Sequence, residues 1–320
     1  MRTVIVGAGI TGLALGSLLR EKHPNDEVTI LEKSRGVGGR MATRRTDLGK
    51  FDHGAQFYSK KDSMLWLHQK WQNEGLVEKW FQSENVDKFI SRAGMTALAK
   101  SLSAVLSVEL GKKALKLNSV AGGVWEIEIE NHEAIKADRV VLTAPMPQNL
   151  ELLDRSGIEV SDRLRQVAYA KAIVLLFEGV SSGEFDGVHG FKENIDESVF
   201  SVANQFGKGL HSVPSWTVVM TPKFSDQVFD QDDEQILSLA LREITKLVPE
   251  LTYETVQVKK WRYSHPTKLA CLKEEPLFTV VSENLFLAGD SYGGASVAGA
   301  VASANQLASF ILVGDRARQS

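Results

Sequence analysis

The stretch VIVGAGITGL, residues 4–13, decides the fold of this chain. It opens with a short aliphatic run that is typical of a buried strand. Three glycines follow in the spacing G-x-G-x-x-G, at Gly7, Gly9 and Gly12. The leucines of residues 11–22 then recur at helical spacing. A strand, a glycine turn and a helix in this order predict the opening of a dinucleotide-binding unit.

A second strand completes this unit. Residues 27–31 alternate apolar and polar side chains, and Glu32 ends the strand about 20 residues after Gly12. In such a unit Gly7 permits the tight turn, Gly9 lets a pyrophosphate approach the backbone, and Gly12 lets helix and strand pack closely. The first turn of the helix offers free N–H groups to the phosphates. Glu32 can accept hydrogen bonds from ribose hydroxyls and repels a 2′-phosphate, so we expect FAD or an NAD-like nucleotide rather than NADP.

A loop rich in glycine and arginine follows the second strand. It reads SRGVGGRMATRR over residues 34–45, with Gly38 and Gly39 directly before Arg40. Glycines so closely spaced exclude a helix or a strand interior, and such a backbone can lie flat along an extended ligand. The Arg40 guanidinium can then reach a phosphate or the edge of a flavin. This loop therefore favours FAD over an NAD-like nucleotide.

A third motif, NLFLAGDSYGGA over residues 284–295, lies far along the chain. A predicted strand runs into Gly289 and Asp290, and an uncharged, apolar helix follows. The Asp290 carboxylate can bind a sugar-like hydroxyl, which in FAD belongs to the ribityl chain, and it can also cap the helix. The positive end of the helix dipole would favour the negative charge of a reduced flavin.

The composition narrows the class of protein. Of the 320 residues 43% are hydrophobic, which suffices for a large core, and the formal net charge of −3 offers no basic excess for nucleic acid. The single cysteine, Cys271, excludes a disulfide within the chain, and the seven histidines lack metal-ligand spacing, so we expect no metal. We expect the uncharged stretch between Asp290 and Asp315 to be a buried helix rather than a membrane span, in a cytoplasmic protein.

The middle of the chain is rich in predicted strands. Helices are predicted over 62–80, 95–106 and 232–248, and strands over 124–130, 139–145, 171–178, 216–221, 256–263 and 284–290. Because nucleotide-binding signals stand on both sides of these strands, we predict an inserted domain. The FAD-binding domain is predicted to comprise residues 1–60, 90–150 and 277–320, and the substrate domain residues 61–89 and 151–276.

Several separated segments resemble the glycine-doublet FAD oxidoreductases, the superfamily of flavin amine oxidases and phytoene desaturases, and most closely its renalase-like members. Besides the three motifs above, these segments are FDHGAQFYS at 51–59, GMTALAKSL at 94–102, ADRVVLTAPMPQ at 137–148 and KKWRYSHP at 259–266. The resemblance implies an α/β protein with a Rossmann-like FAD-binding domain of the glycine-doublet type. It also implies an inserted α+β substrate domain built on an antiparallel sheet.

The same resemblance implies roles for individual residues. FAD would be held non-covalently by Gly7, Gly9, Ile10, Thr11, Gly12, Glu32, Lys33, Gly38, Gly39, Arg40, Met41, Asp52, Gly54, Ala55, Gln56, Phe57, Val108, Trp261, Gly289, Asp290, Ala295 and Val297. The candidate catalytic residues are aromatic walls for a flat ring and hydrogen-bonding groups that orient it: Phe57, Tyr58, Trp261, Tyr263, Gln56 and His265. Cys271 could carry a flavin covalently, but a lone thiol is more typical of a small buried hydrophobe, so we expect a removable flavin. The run 297–300 reads Val-Ala-Gly-Ala where amine-oxidase-like members usually carry a glutamate, which leaves no carboxylate at that position.

The renalase-like resemblance implies oxidation of wrongly reduced nicotinamide dinucleotides, the 2- and 6-dihydro isomers of NAD(P)H. A hydride would pass to flavin N5, and dioxygen would take the electrons and give hydrogen peroxide. A dihydropyridine becomes an aromatic cation when it loses a hydride, so no general base is required, and the sequence shows no obvious His–acid dyad. The expected partners are therefore a small-molecule substrate and dioxygen, with neither nucleic acid nor a membrane.

Two alternatives stay open at this point. A flavin-dependent amine oxidase would need an aromatic cage and often a lysine-held water, for which Lys268 is the nearest candidate. The other alternative is a non-enzymatic flavoprotein or a desaturase-type protein that acts on lipids. A desaturase would show a larger apolar face than residues 62–80 offer. Reduction of the flavin by the dihydro isomers alone would favour the first hypothesis, and reduction by amines alone would favour the amine oxidase. The absence of any flavin would undermine all three hypotheses.

Overall fold

The computed structural model describes residues 1–181, 185, 187 and 189–319. The strands of this part of the chain are β1 (Arg2–Val6), β2 (Glu27–Glu32), β3 (Thr43–Arg45), β4 (Lys50–Asp52), β5 (Tyr58–Ser59), β6 (Glu78–Ser83), β7 (Val86–Ile90), β8 (Ser107–Leu110), β9 (Ala114–Val120), β10 (Val124–Ile129), β11 (Ile135–Ala137), β12 (Arg139–Leu142), β13 (Ala168–Glu178), β14 (Phe191–Glu193), β15 (Val199–Asn204), β16 (Ser215–Met220), β17 (Thr255–Lys268), β18 (Phe278–Ser282) and β19 (Leu285–Ala288). The helices are α1 (Ile10–Lys22), α2 (Leu65–Asn73), α3 (Met95–Ser103), α4 (Met146–Arg155), α5 (Asp162–Arg165), α6 (Pro222–Val228), α7 (Asp233–Leu247), α8 (Asp290–Gly293) and α9 (Val297–Gln319).

The central sheet has six strands in the order β18-β19-β12-β1-β2-β8. All neighbouring strands are parallel except the β18–β19 pair. At its centre Ile5 lies opposite Ile30 on one side and Val141 on the other, and all three are fully buried. Runs of aliphatic residues form such strands because a parallel sheet is covered on both faces. The predicted Rossmann-like fold is confirmed.

Helices α1 and α9 cover one face of this sheet. Leu13 of α1 and Val301 and Leu307 of α9 lie in the same buried cluster. Within the described residues, Val297–Asp315 is long and apolar enough to cross a membrane by length and composition alone. Half of that window is buried inside the protein, as the sequence predicts for a core helix. A buried ion pair between Arg139 and Asp315, 2.5 Å long, ties α9 to β12.

A second sheet, in the order β14-β15-β16-β13-β17, is antiparallel throughout. The alternation of its side chains divides two packing faces. One face of β13, which includes Ile173 and Phe177, packs against α6 and α7. The other face presents Ala172 and Val174, which pack with Trp261 of β17 and Phe51 of β4. This second face therefore looks toward the part of the chain that carries the nucleotide motifs. The division into two domains at the residue boundaries given above stays a prediction.

The predicted helix over residues 62–80 is wrong in its second half. Helix α2 ends at Asn73, and the chain then turns into strand β6. The stop is a Schellman motif: Gly75 has a φ of +66°, its N–H donates to the Gln72 carbonyl, and the Leu76 N–H donates to the Trp71 carbonyl. The apolar residues after Gly75 happen to continue the helical spacing, although they belong to the turn and to strand β6. This coincidence explains why the predicted helix is too long.

Candidate active site

The turn between β1 and α1 forms a cradle for a dinucleotide. Gly9 precedes α1 with an ordinary φ of −73°, and no side chain caps the helix. A Cβ built on Gly9 would meet no protein atom within 4 Å, whereas a Cβ on Gly12 would overlap the Gly7 carbonyl oxygen. Gly12 is thus needed for packing, and the open space at Gly9 is where a pyrophosphate can approach the backbone. The free N–H groups of the first turn suit its charge.

Glu32 is oriented as the ribose-binding acid of this cradle. One carboxylate oxygen accepts a hydrogen bond from the Ala8 N–H at 2.9 Å and the other from the Ser34 N–H at 2.8 Å. Each oxygen keeps a further lone pair. The carboxylate is therefore fixed in place and still able to accept hydrogen bonds from ribose hydroxyls.

The glycine doublet lies directly on this cradle. The Gly38 N–H donates to the Ala8 carbonyl at 2.8 Å, and a Cβ on Gly39 would stand 3.6 Å from the Gly9 Cα. Gly38 has a φ of +105°, a conformation that other residues rarely adopt. The loop can therefore follow the fingerprint turn closely and present Arg40 at its end.

Arg40 and Asp290 bring the first and third motifs together. The Asp290 carboxylate accepts hydrogen bonds from both terminal nitrogens of Arg40, and the Nη2–Oδ1 distance is 2.9 Å. Burial lowers the pKa of Arg40, but Asp290 and Tyr169 outweigh this effect, and the net pKa is raised. Arg40 therefore keeps its charge, and Asp290 is held beside the start of α8.

Tyr169 of β13 is a member of this group that the sequence did not reveal. Its hydroxyl donates to Asp290 Oδ1 at 3.0 Å, and the Arg40 guanidinium lies 5.5 Å from its ring centroid. Burial, and then the Asp290 charge, raise the pKa of Tyr169, so its hydroxyl stays protonated and can donate. Tyr263 packs edge-on against the same ring, at 5.9 Å between centroids. His265 lies nearby on β17, and burial, followed by the Arg40 charge, lowers its pKa. Two predicted catalytic residues, Tyr263 and His265, therefore join the Arg40–Asp290 pair.

His53 and Trp261 form a second group on the inner face of the antiparallel sheet. Their rings stack at 5.4 Å with an interplanar angle of 23°, and Trp261 Nε1 donates to the His53 carbonyl at 2.8 Å. Burial, followed by the charge of Lys259, lowers the pKa of His53 to about 4, so its imidazole is neutral at physiological pH. Its Nδ1 is buried and has no hydrogen-bond partner among the described residues. Sequence reasoning quoted the motif that contains His53 without singling this residue out.

Asp52 and Gln56 belong to a buried polar network. The Asp52 carboxylate binds Lys208 Nζ at 2.6 Å, Thr43 Oγ1 at 2.6 Å and the Met95 N–H at 2.8 Å. Both side chains of the Lys208–Asp52 pair have no exposed surface. Burial lowers the pKa of Lys208, and Asp52 partly offsets this effect. The network joins β4 to the loop after β15, and nothing in the sequence around Lys208 announces it.

The Gln56 side chain is engaged by the same network. Its Nε2 donates to the Asp52 carbonyl at 2.7 Å, and its Oε1 accepts from Gln205 at 3.0 Å. The Lys208 ammonium also donates to the Gln56 carbonyl at 2.9 Å. These contacts fix the backbone between Asp52 and Gln56. They fit a positioning role for Gln56 better than the predicted role of orienting a substrate ring.

Phe57 and Tyr58 lie apart from both groups. Phe57 packs in an aromatic cluster with Trp80 and Phe191. Tyr58 is 2% exposed and packs in the core, where its hydroxyl lies 2.8 Å from His68 Nδ1. The predicted role of Tyr58 as a wall for a substrate ring does not fit this placement, because its ring faces the core rather than an open surface. Neighbouring positions on a strand point to opposite faces, so the two rings diverge.

The remaining predicted cofactor residues fall around the cradle and the two helix starts. Met41 is buried in the core beside α1, and Ala55, Val108 and Val297 pack against that core. Ile10 and Thr11 open α1, and Thr11 Oγ1 donates to the Ala300 carbonyl at 3.2 Å. A Cβ on Gly54 would overlap the Arg40 carbonyl oxygen, which fixes the loop below the doublet. The last members, Lys33 and Ala295, are exposed, and Lys33 Nζ donates to Gln148 at 2.9 Å. Gly289 precedes α8 with a φ of +151°.

The fold and this site define a flavin-dependent oxidoreductase. The family model of the flavin containing amine oxidoreductases matches residues 72–312, and that of the NAD(P)-binding Rossmann-like domain matches residues 5–68. The chain therefore belongs to the flavin containing amine oxidoreductase family. The cradle fits the nucleotide half of a flavin cofactor, because it combines open space at Gly9, a fixed Glu32 and uncapped N–H groups.

Individual relatives extend over nearly the whole chain. Renalase from Mus musculus is 23% identical over 346 residues, which cover 95% of this chain and 96% of the mouse protein. The resemblance to renalase-like flavoproteins is thereby confirmed. A protein assigned as a protoporphyrinogen oxidase, from Exiguobacterium sp. 255-15, superimposes with a TM-score of 0.79 and 16% identity. The superposition covers 98% of this chain and 99% of that chain. A putrescine oxidase bound to putrescine superimposes with a TM-score of 0.72 and 14% identity over 98% and 99%. At these identities the structural likeness is one of fold.

Proposed function

We propose that this protein is an FAD-dependent oxidase for wrongly reduced nicotinamide dinucleotides. The substrates are the 2- or 6-dihydro isomers of NAD(P)H, the products are NAD(P)⁺ and hydrogen peroxide, and dioxygen is the electron acceptor. The chain belongs to the flavin containing amine oxidoreductase family, and the proposal adds the substrate on which it acts. Its similarity to a renalase over 95% of this chain and 96% of that protein supports that choice.

The His53–Trp261 stack carries the proposal. It offers two flat, half-buried rings, and Trp261 lies on the inner face of the antiparallel sheet. The imidazole of His53 is neutral because its pKa is about 4. A dihydropyridine needs such a surface and no general base, because it becomes an aromatic cation when it loses a hydride. An oxidase that must first deprotonate an ammonium group would need a base that these two rings do not supply.

Bound flavin would supply a two-electron acceptor at N5 that dioxygen can reoxidise. The residues of this chain do the rest. Glu32 would bind the ribose hydroxyls, and the N–H groups that follow Gly9 would bind the pyrophosphate. Arg40 and Asp290 would lie at the ribityl and phosphate region, with Tyr169 holding the Asp290 carboxylate in place. Trp261 and Tyr263 would exclude water from the reacting ring.

We further propose that the FAD is held non-covalently. The Cys271 thiol donates to the Tyr292 carbonyl at 3.2 Å, and burial, followed by the charge of Glu275, raises its pKa. A protonated thiol engaged in this way is a poor nucleophile toward a flavin. Acid precipitation of the holoprotein is expected to leave the yellow colour in the supernatant, and colour retained in the pellet would contradict the proposal.

Peroxide formation tests the proposed substrate class. The aerobic holoprotein is mixed with the 2- and 6-dihydro isomers, with ordinary 4-dihydro NADH, and with a panel of primary amines and polyamines. We expect one peroxide per molecule of either or both isomers and none from the amines. Turnover of the amines alone would instead establish the amine oxidase alternative, whose nominated Lys268 donates to Gln166 in an exposed position at 2.7 Å.

A variant of the stacking ring adds a residue-level control. Trp261→Leu is expected to lower kcat/KM for the isomers at least about tenfold while the flavin is retained, since the flat surface is lost. Trp66→Leu is the matched control, because Trp66 is also half-buried and also donates one hydrogen bond, at 3.2 Å to Asn305, but lies on α2. Equal kcat/KM values for the isomers in Trp261→Leu and Trp66→Leu would show that Trp261 is not part of the substrate site.

A further inference from the structure

Two cations stand beside the His53–Trp261 stack without a described counter-ion. Lys259 is two residues before Trp261 on β17, and Arg44 lies on β3. No described carboxylate lies within 4.0 Å of a side-chain nitrogen of either residue. Their neighbours differ: Lys260 pairs with Asp233 at 3.4 Å and Arg262 with Asp230 at 3.6 Å.

The strand register places both cations on the same side as Trp261. On β17, Lys259 lies opposite Val174 of β13 and Trp261 lies opposite Ala172. Val174 and Ala172 share the inner face of the sheet, so Lys259 shares it too. Arg44 lies directly opposite Phe51 in the β3–β4 pair, and Phe51 packs on that same inner face. Residues directly opposite in an antiparallel pair project to one side, so Arg44 also faces it.

The electrostatics of this corner agree with the geometry. Burial, followed by the charge of Arg44, lowers the pKa of Lys259. Lys259 and Arg44 both also lower the pKa of His53. Asp233 partly offsets the shift at Lys259 and Asp52 the shift at His53, but neither carboxylate forms an ion pair with Lys259 or Arg44. Because Lys259 and Arg44 repel each other, an anion between them would be favourable.

We propose that Arg44 and Lys259 form an anion subsite that binds the phosphate groups of a dinucleotide substrate while its reduced ring lies against Trp261. This inference rests on the proposed function, and it names the part of the substrate that gives affinity. Two cations can form charge-assisted hydrogen bonds with a pyrophosphate, whereas they repel the ammonium group of an amine. The subsite therefore selects nucleotides over amines at the level of binding.

Binding of ADP-ribose to the oxidised holoenzyme tests the subsite without any redox chemistry. Lys259→Gln and Arg44→Gln are each expected to raise the Kd of ADP-ribose about tenfold, the cost of losing a hydrogen bond to a charged group. Lys260→Gln is the matched control, because it removes the same charge from the adjacent residue, which hydrogen-bonds the Gln231 carbonyl at 2.6 Å on another side of the strand. The Kd of the wild type should rise with salt, and the double variant should lose most of that dependence. Equal Kd values for the wild type, Lys259→Gln and Arg44→Gln would overturn the subsite.

A substrate without phosphate separates the subsite from the proposed function. In single-turnover reduction, Lys259→Gln and Arg44→Gln should each raise the apparent Kd of a dihydro-NAD isomer. The apparent Kd of the corresponding dihydronicotinamide riboside, which lacks the pyrophosphate, should stay unchanged. If no isomer reduces the flavin, the proposed function fails, and the ADP-ribose titration still decides on the subsite. If the isomers reduce the flavin and the variants bind both substrates like the wild type, the subsite fails alone. If Lys259→Gln loses its flavin, the test relies on Arg44→Gln, because Arg44 is exposed and its substitution should not disturb the fold. Its Kd for ADP-ribose and the salt dependence of that Kd then decide whether the subsite exists.

Discussion

The Asp290 carboxylate accepts hydrogen bonds from both terminal nitrogens of Arg40, which lies 250 positions earlier in the chain. Tyr169 donates to the same carboxylate from the antiparallel sheet. The glycine-rich loop after β2, the first residue of α8 and the start of β13 therefore meet at one acidic side chain. This meeting point connects the nucleotide-binding motifs to the sheet that carries the candidate substrate surface.

Neutralising Asp290 tests whether this meeting point serves the cofactor. Asp290→Asn keeps the shape of the side chain but leaves Arg40 without its counter-charge. We expect the Kd of FAD to rise at least about tenfold when the deflavinated protein is titrated with FAD. Asp154→Asn is the control, because Asp154 also forms a two-bond pair with an arginine, Arg165, but on the exposed surface. An FAD affinity equal to that of the control would show that Asp290 serves only the fold.

A substitution of Gly9 should affect cofactor binding without affecting folding, because the space beside Gly9 is open. Gly9→Ala is expected to leave the thermal midpoint of the apoprotein within a degree or two, since the new Cβ meets no protein atom within 4 Å. The same Cβ would occupy the approach of a pyrophosphate, so FAD affinity should fall more than about tenfold. Gly36→Ala is matched, because a Cβ there also meets nothing within 4 Å. Normal FAD binding by Gly9→Ala would refute the assignment of the cradle.

The Lys208–Asp52 pair is expected to hold β4 to the loop after β15. Lys208→Met would leave the Asp52 carboxylate buried and unpaired, which costs about 3–5 kcal/mol of unfolding free energy. Denaturant unfolding measures this loss. Lys223→Met breaks an exposed pair, with Glu197 at 2.8 Å, and should change stability far less, because solvent screens the charges of an exposed pair. The double variant Asp52→Asn, Lys208→Met should recover part of the loss, and no recovery would mean that the charge is not the cause.

His53 predicts a dependence of stability on pH. Its pKa is about 4 in the folded chain and about 6.5 in an unfolded one. Between these values the unfolded chain binds a proton that the folded chain does not, so stability falls as the pH drops from about 6.5 to 4, by roughly 2–3 kcal/mol. His53→Gln should flatten this part of the profile relative to the wild type. The exposed His132→Gln should not, and identical slopes in all three proteins would contradict the placement of His53.

The nucleotide-binding half of the fold could be predicted because its constraints are local. One strand–helix–strand unit contains all the residues that form the cradle, namely Gly7, Gly9, Gly12 and Glu32. Their spacing alone therefore predicts the cradle. Three strands of the second sheet, β13, β16 and β17, were also visible as alternating or apolar runs, whereas β14 and β15 were not predicted. What a single sequence hides is which face of a strand meets which partner. Tyr58 and Phe57 illustrate this, because one residue of register decides between core and surface.

The long-range part of the site could not be predicted for a similar reason. Tyr169, Lys208 and His53 act through partners that are remote in sequence, and none of them sits in a spacing that demands its residue type. Lys208 follows a loop sequence typical of exposed turns, yet it is fully buried. Only the packing of the antiparallel sheet against β4 brings it to Asp52. The aromatic residues of KKWRYSHP, by contrast, were correctly expected to lie on one strand.

Anaerobic single-turnover reduction of the flavin tests the central claim most directly. The oxidised holoenzyme is mixed, without dioxygen, with the 2- and 6-dihydro isomers of NAD(P)H and, separately, with primary amines and putrescine. We predict rapid loss of the flavin absorbance with either or both isomers, at a rate that varies little above pH 6 because His53 is already neutral there. Reduction by the amines alone, with no response to either isomer, would contradict the account.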